Sequence, residues 1–223
     1  MFYNVRKKGF PDGTMQYMYF ERGKQKEYKQ EEKKETGDSV ERGEKQNMSR
    51  AIQKVYDLAR SNNFDWFVTT TFNPALVNRY DYDSCADTMV KFTRILRDDG
   101  NGYLFVPEQH QDGAFHMHGL ISGDLDLTHW KGDVYNLNDF KWGFTTATPI
   151  KDRKRVSSYI AKYLTKEIVV PKGRKRYWAS RALKKPTEDY VVMSTAEFEE
   201  LFNDARYQKV IDSPYGKFLF CET

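Results

Sequence analysis

An alternating apolar pattern that carries two histidines runs through Gly113-Ala114-Phe115-His116-Met117-His118-Gly119-Leu120-Ile121. This pattern predicts a β-strand, in which successive side chains point to opposite faces. We therefore expect Phe115, Met117 and Ile121 to face the core, and both imidazoles to share the other face. Two imidazoles on one side of a strand form half of a divalent metal site. Because a triplet this short also occurs by chance, its meaning depends on the rest of the chain.

A second motif lies further along the chain, in Tyr159-Ile160-Ala161-Lys162-Tyr163-Leu164-Thr165-Lys166. The segment lacks Pro and Gly, and Ser157 and Ser158 are suited to cap it, so it predicts a helix. Apolar residues recur every four positions and predict its buried stripe: Val156, Ile160, Leu164 and Ile168. The two tyrosines are also four apart, so they share one face beside this stripe. Each tyrosine is followed three residues later by a lysine.

Three blocks, in this order, resemble the HUH endonuclease superfamily, the metal-dependent tyrosine nucleases that start rolling-circle replication. They are Phe67-Val68-Thr69-Thr70-Thr71-Phe72, the strand that carries His116 and His118, and the helix with the two tyrosines. The doubled tyrosine is similar to the branch found in initiators of small single-stranded DNA phages and related plasmids. The threonines of the first block also have a simpler interpretation as β-branched residues of a sheet.

Other periodicities predict further helices and strands. Helices are expected from Met48 to Ala59, from Asp83 or Ser84 to Arg97, and from Thr195 to Phe202; strands are expected at Asp65–Phe72, Tyr103–Gln109, Trp142–Ile150 and Lys217–Cys221, with short extended chain at Arg176–Ala179. This order predicts an α+β fold, an antiparallel sheet covered on one face by helices. The resemblance implies a ferredoxin-like or RRM-like sheet, with the histidine strand central and the tyrosine helix over it.

We expect two regions. Residues 1–45 would hold an N-terminal strand and a charged segment, and residues 46–223 an endonuclease domain with a basic C-terminal extension. Almost no apolar residue occurs in 21–45, which indicates a mobile linker or exposed loop. An exposed helix laced with ion pairs is the alternative.

A third metal ligand is needed beside the two histidines, and Glu108 is the best candidate. A hairpin turning at 111–113 would bring its strand next to the histidine strand. Two imidazoles and a carboxylate suit Mn²⁺ or Mg²⁺. His110, which strand alternation places on the same face as Glu108, is the weaker candidate.

The resemblance implies that a tyrosine attacks a DNA phosphate and leaves a 5′-phosphotyrosine link and a free 3′-hydroxyl. A phenol with an ordinary pKa of about 10 attacks poorly near neutral pH, so it needs help from a metal and a neighbouring cation. We expect Lys162 to support Tyr159, and Lys166 to support Tyr163. The sequence leaves open which tyrosine attacks first.

Basic residues concentrate around and after the tyrosine helix. Between Lys151 and Lys185 there are thirteen Lys and Arg residues and two acidic ones, although the whole chain carries only +4. Such segregation indicates a polyanionic partner. The expected DNA contacts are Arg153, Lys154, Arg155, Arg174, Lys175 and Arg176, with Trp178 as a base-stacking platform.

The expected function is that of a sequence-specific nickase and ligase for single-stranded origin DNA, which starts rolling-circle replication of a phage or plasmid. A single-strand transposase or relaxase with the same chemistry, and a non-catalytic RRM-like binding module, are the alternatives. No phosphate-binding loop of a motor is present, so we expect a host helicase and polymerase as partners. The lack of a membrane-length apolar run, of a secretory signal and of metal or disulfide spacing for the two cysteines indicates the cytoplasm of a bacterial host.

Overall fold

The computed structural model describes residues 2–25, 37–164, 170–171, 173–213 and 216–223. The elements, in chain order, are β1 (Phe2–Gly9), β2 (Met15–Gln25), α1 (Gly37–Ser61), β3 (Trp66–Phe72), α2 (Tyr82–Asp98), β4 (Gly102–Gln109), β5 (Phe115–Ser122), β6 (Leu127–Lys131), β7 (Val134–Leu137), β8 (Gly143–Pro149), α3 (Arg153–Tyr163), β9 (Trp178–Ala179), β10 (Thr187–Val191), α4 (Thr195–Asn203), β11 (Tyr207–Ser213) and β12 (Gly216–Glu222). Helices and antiparallel sheets together confirm the predicted α+β class.

The chain divides into two compact units. One comprises Met1–Glu35 and Lys185–Thr223, and the other Thr36–Lys184. The sequence grouped the C-terminal residues with the endonuclease domain, but in the structure β12 pairs with β2 and β10 pairs with β1. These long-range antiparallel pairings tie the two ends of the chain together, and no local pattern announces them. The functional division at residues 45 and 46 stays a prediction.

The unit formed by the chain ends is a five-stranded antiparallel sheet in the order β10-β1-β2-β12-β11. Its core contains Val5, Tyr17, Tyr19, Phe198 and Cys221. Phe198 comes from α4, whose first turn is closed by a capping box between Ser194 and Glu197. The predicted helix and terminal strand of this region are therefore confirmed.

The unit of Thr36–Lys184 contains a seven-stranded antiparallel sheet in the order β6-β7-β8-β3-β5-β4-β9. The histidine strand β5 lies between β3 and β4, so it is central, as the resemblance implied. Because both neighbours run antiparallel to β5, they run parallel to each other, and α2 is the helical crossover that parallel strands require. The β6–β7 hairpin, like β10 and β11, is absent from the sequence prediction.

Helices cover both faces of this sheet, which corrects the one-face prediction. On one face, Met117 and Ile121 of β5 belong to the same core as Met89 and Phe92 of α2. On the other face, Leu120 belongs to a core that includes residues of α1 and α3. The strand alternation that separates Met117 from the histidines thus supplies apolar side chains to both faces.

Close packing explains why glycine follows the histidine pair. A Cβ built on Gly119 would overlap the Phe105 ring, which lies over this point of β5. A larger residue would force the ring out of the core that it shares with α2. Gly119 therefore fixes how closely β4 and β5 pack beside the histidines.

Both helices that flank the sheet's centre begin earlier than predicted. Asp81 caps α2 by accepting a hydrogen bond from the Ser84 backbone N–H, and Asp152 caps α3 in the same way from Arg155. Ser157 was predicted as a cap but lies inside α3, where its hydroxyl donates to the Arg153 carbonyl. Aspartate is as good an N-cap as serine.

The charged segment 21–45 divides between two elements. Residues up to Gln25 continue β2, and α1 begins at Gly37, so the exposed-helix alternative is confirmed from that residue onward and the linker interpretation is wrong there. Residues 26–36 lie outside the described part of the chain. Among the described helices, none is long and apolar enough to cross a membrane.

Candidate active site

The candidate site lies on the sheet face opposite α2, along one row across three strands. Glu108 of β4 lies in register with His116 of β5, and His116 lies in register with Thr71 of β3. In the next row, His118 is paired with Thr69. Since residues paired across antiparallel strands share a face, the sheet places the predicted metal ligands on one patch.

Glu108 and His118 form the centre of this patch. Both are buried, and the Glu108 carboxylate contacts Nε2 of His118 through a short hydrogen bond. Nε2 of His110 lies 3.7 Å from the same carboxylate oxygen. The hairpin after β4 therefore brings together the acid and the histidine, as predicted, with the weaker candidate His110 beside them.

His116 is arranged differently from His118. Its ring stacks on that of His110, with centroids 3.9 Å apart and an interplanar angle of 8°. Burial, helped by the neighbouring His110, lowers the pKa of His116 to about 4. A neutral imidazole keeps one nitrogen lone pair available for a metal or a hydrogen bond.

Two threonines of β3 hold the inner edge of both imidazoles. The Thr69 hydroxyl lies 3.0 Å from Nδ1 of His118, and the Thr71 hydroxyl lies 3.1 Å from Nδ1 of His116. When Nδ1 is engaged in this way, the outer nitrogen Nε2 is the one left to face the site. The sequence favoured a purely structural role for these threonines. The clue was available, because Thr69 and Thr71 alternate with the same period as the two histidines.

The tyrosine helix α3 lies over the histidines. The Tyr163 ring stacks on His118 with centroids 3.7 Å apart, and its hydroxyl donates a 2.6 Å hydrogen bond to the hydroxyl of Tyr159. Phe67 of β3 contacts both tyrosine rings, at 5.4 Å for Tyr159 and 6.4 Å for Tyr163. The phenol oxygens and the histidines therefore share one site.

The two phenols have different surroundings. Tyr163 is 9% exposed, whereas Tyr159 is 48% exposed. Burial, together with the hydrogen bond donated to Tyr159, raises the pKa of the Tyr163 phenol well above its ordinary value. Tyr163 therefore keeps its proton and donates it toward Tyr159, whose oxygen is the acceptor and is open to solvent.

The donor chemistry of the patch suits a divalent cation, although the side chains are not arranged as a finished cage. Across the described ranges of the chain, no group of three or more His, Cys, Asp or Glu side chains is positioned to hold a metal ion. Glu108 and His118 contact each other directly, while the His116 ring stacks on His110 instead. A buried carboxylate with adjoining imidazoles is nevertheless a donor set that Mn²⁺ accepts.

The predicted lysines and DNA contacts fall into three groups. Lys162 is exposed on α3, and Lys166 lies outside the described residues. In the first turn of α3, Arg153, Lys154 and Arg155 are exposed, with Arg153 donating to the Asn63 side chain. In the segment after α3, Arg174 pairs with Asp83 at 2.6 Å, Lys175 is exposed, and the partly buried Arg176 contacts Met48.

Trp178 does not fit its predicted role as a base-stacking platform. It is 5% exposed and lies in the core beside α2. The prediction depended on its basic neighbours, but β9 turns the indole inward because Trp178 pairs with Phe105 on the edge of the sheet. The strongly exposed tryptophan is Trp130, at 59%.

The comparisons with known proteins identify the part of the chain that contains this site. Residues 65–168 match the family model for the replication-associated protein ORF2. This segment is a replication-associated domain. It extends from β3 through α3, and so includes the histidines, Glu108 and both tyrosines. The match confirms the predicted relation to replication initiators. No curated protein and no solved structure matches the chain.

Proposed function

We propose that this replication-associated protein is a metal-dependent endonuclease that cuts and rejoins single-stranded DNA to start rolling-circle replication. The observation that carries the proposal is the stacking of Tyr163 on His118, 3.7 Å apart. It brings two phenol oxygens to the same surface as the buried Glu108–His118 pair. A phenol next to a carboxylate and imidazoles matches the needs of phosphoryl transfer to tyrosine.

Tyr159 is the first nucleophile in this proposal. Its oxygen attacks the scissile phosphorus, the phosphorus–O3′ bond breaks, and a 5′-phosphotyrosine and a 3′-hydroxyl result. The phenol proton leaves to the solvent that reaches this exposed residue, and the departing O3′ takes a proton from water. Tyr163 donates its hydrogen bond to the Tyr159 oxygen and so stabilises the negative charge there. Lys162, three residues after Tyr159 on the helix, offsets charge on the phosphate.

Glu108, His118 and His116 would hold the metal, either Mn²⁺ or Mg²⁺. When bound, the ion supplies a Lewis acid for the phosphate oxygens. Thr69 and Thr71 orient the imidazoles toward it. Tyr163 and Lys166 would serve the second transfer, in which a new strand end is joined. The DNA would be a replication origin opened by a host helicase and extended by a host polymerase.

A covalent-adduct assay tests the proposed reaction. Labelled single-stranded DNA from the replicon is incubated with the full chain and Mn²⁺, then separated on a denaturing gel. We expect a protein–DNA adduct that chelator prevents and that is lost in the Tyr159→Phe, Tyr163→Phe double variant. Retention of DNA without cleavage, unchanged by chelator, would contradict the proposal and favour the RRM-like binding module.

The threonines give a separate prediction about the metal. We expect Thr69→Val and Thr71→Val each to weaken Mn²⁺ binding by about 10- to 100-fold, because the imidazoles lose the hydroxyls that orient them. Isothermal titration of Mn²⁺ measures this. Thr→Ser at the same positions keeps the hydroxyl and should restore affinity, and Thr146→Val, opposite Thr69 on β8, is the matched control. Unchanged affinity in both valine variants would refute the orienting role.

A further inference from the structure

The structure points to a base-binding surface formed by Trp130 and Phe144, which we infer holds unpaired bases of the DNA strand next to the cleaved phosphate. This inference rests on the proposed function for its ligand, single-stranded DNA. It concerns residues outside the histidine and tyrosine groups described above. The surface is called the aromatic pair below.

Both rings of the aromatic pair are open to solvent. Trp130 of β6 is 59% exposed and Phe144 of β8 is 42% exposed. The rings meet edge to face, with centroids 5.2 Å apart and an angle of 80°. Neither residue belongs to the two cores of this unit as far as the structure describes them. Exposing two touching aromatic rings costs free energy, since each would be more stable if covered.

The register of the sheet connects the aromatic pair to the candidate active site. Phe144 lies in register with Thr71, and Thr71 lies in register with His116. Phe144 therefore shares the face of the histidines. Since neighbouring strands are about 4.8 Å apart, its backbone is about 10 Å from that of His116. A single strand with a phosphate at the histidines reaches this distance with its adjacent nucleotides.

The other face of the hairpin is used differently, which leaves Trp130 on the site's side. His129, the residue before Trp130, contacts Tyr135, and Tyr135 contacts Trp66. Trp66 and Tyr135 pack against the core that contains α2. Because side chains alternate along a strand, Trp130 points away from that core, in agreement with its contact with Phe144.

The surrounding charge favours a nucleic acid over a protein. Segments 127–131 and 141–149 contain Lys131 and Lys141 and no acidic residue. Lysine beside exposed aromatic rings is the combination that binds single strands, through backbone attraction and base stacking. A protein interface needs about 1,000 Å² or more of buried area, whereas two aromatic side chains supply about 150–250 Å² each.

Removing the bases from the ligand tests the inference. Binding of fluorescein-labelled oligothymidylate, and of the same strand with all bases removed, is measured by fluorescence anisotropy with the full chain in chelator, where no cleavage is expected. We expect Trp130→Ala to weaken binding of oligothymidylate about 10-fold and to leave binding of the abasic strand unchanged. Trp130→Phe should retain most of the affinity, and Tyr207→Ala, an equally exposed aromatic residue in the other unit, is the matched control.

Several outcomes would overturn the inference. It fails if wild-type protein binds the two strands equally, if Trp130→Ala changes neither affinity, or if it weakens both by the same factor. The covalent-adduct assay fails independently: base-dependent loss without any adduct would refute the nuclease and keep the aromatic pair. An adduct without base-dependent loss would refute the aromatic pair alone.

Discussion

Tyr159→Phe is expected to slow the first cleavage of single-stranded DNA by about 10⁴-fold, the scale seen when a nucleophile is removed. Tyr163→Phe is expected to slow it by only about 10- to 100-fold. The difference follows from the hydrogen bond between the two hydroxyls, in which Tyr163 donates and Tyr159 accepts. A hydrogen bond to a charged group contributes about 1.5–3 kcal/mol, which is the help that Tyr159 loses in the Tyr163 variant.

Tyr163 is a poor replacement for Tyr159 in that first step. Its phenol is buried against His118, and the environment raises its pKa, so the phenolate is scarce near neutral pH. The measurement is the single-turnover rate of adduct formation with Mn²⁺ and excess enzyme. Tyr103→Phe, on the opposite face of the sheet, is the control. If Tyr163→Phe abolished the first cleavage while Tyr159→Phe kept the wild-type rate, the proposed order of attack would be reversed.

The central strands of the sheet were predictable because their signal is local. Met117 and the histidines alternate over consecutive residues, and the loop at 111–113 sets the hairpin that puts Glu108 opposite His116. The other helical face was missed because α1 supplies its apolar residues from a distant part of the chain. The same holds for β10 and β11, whose pairing with the chain ends is long-range.

The candidate site was predictable as a set of residues but not as a set of contacts. Sequence spacing placed Tyr159 and Tyr163 on one face of a helix, yet only the fold shows that Tyr163 is buried and Tyr159 exposed. The choice among tryptophans failed for the same reason. Basic neighbours pointed to Trp178, whereas exposure, which depends on tertiary packing, distinguishes Trp130.

Removal of the proposed metal ligands is the second change with a large expected effect. We expect His118→Ala and Glu108→Ala each to lower the cleavage rate by about 10³-fold, because loss of a Lewis acid removes several kcal/mol of transition-state stabilisation. Chelator added to wild-type protein should have the same effect, and Mn²⁺ binding should be lost in both variants. Binding of oligothymidylate in chelator should remain.

His116→Ala should have a smaller effect than His118→Ala. The ring of His110 stacks directly on His116, and its Nε2 is already 3.7 Å from the Glu108 carboxylate, so it is placed to take over as a donor. His118 has no such substitute among the described histidines, since His129 contacts Tyr135 on the other face and serves as the control variant. His118→Ala also leaves the buried Glu108 carboxylate without its nearest donor, at a cost of about 1–3 kcal/mol of stability. Thermal unfolding must therefore accompany the rates, and His118→Gln provides a variant that keeps a polar partner for Glu108. A folded His118→Gln protein that cleaves at the wild-type rate in Mn²⁺ would contradict the proposed metal site.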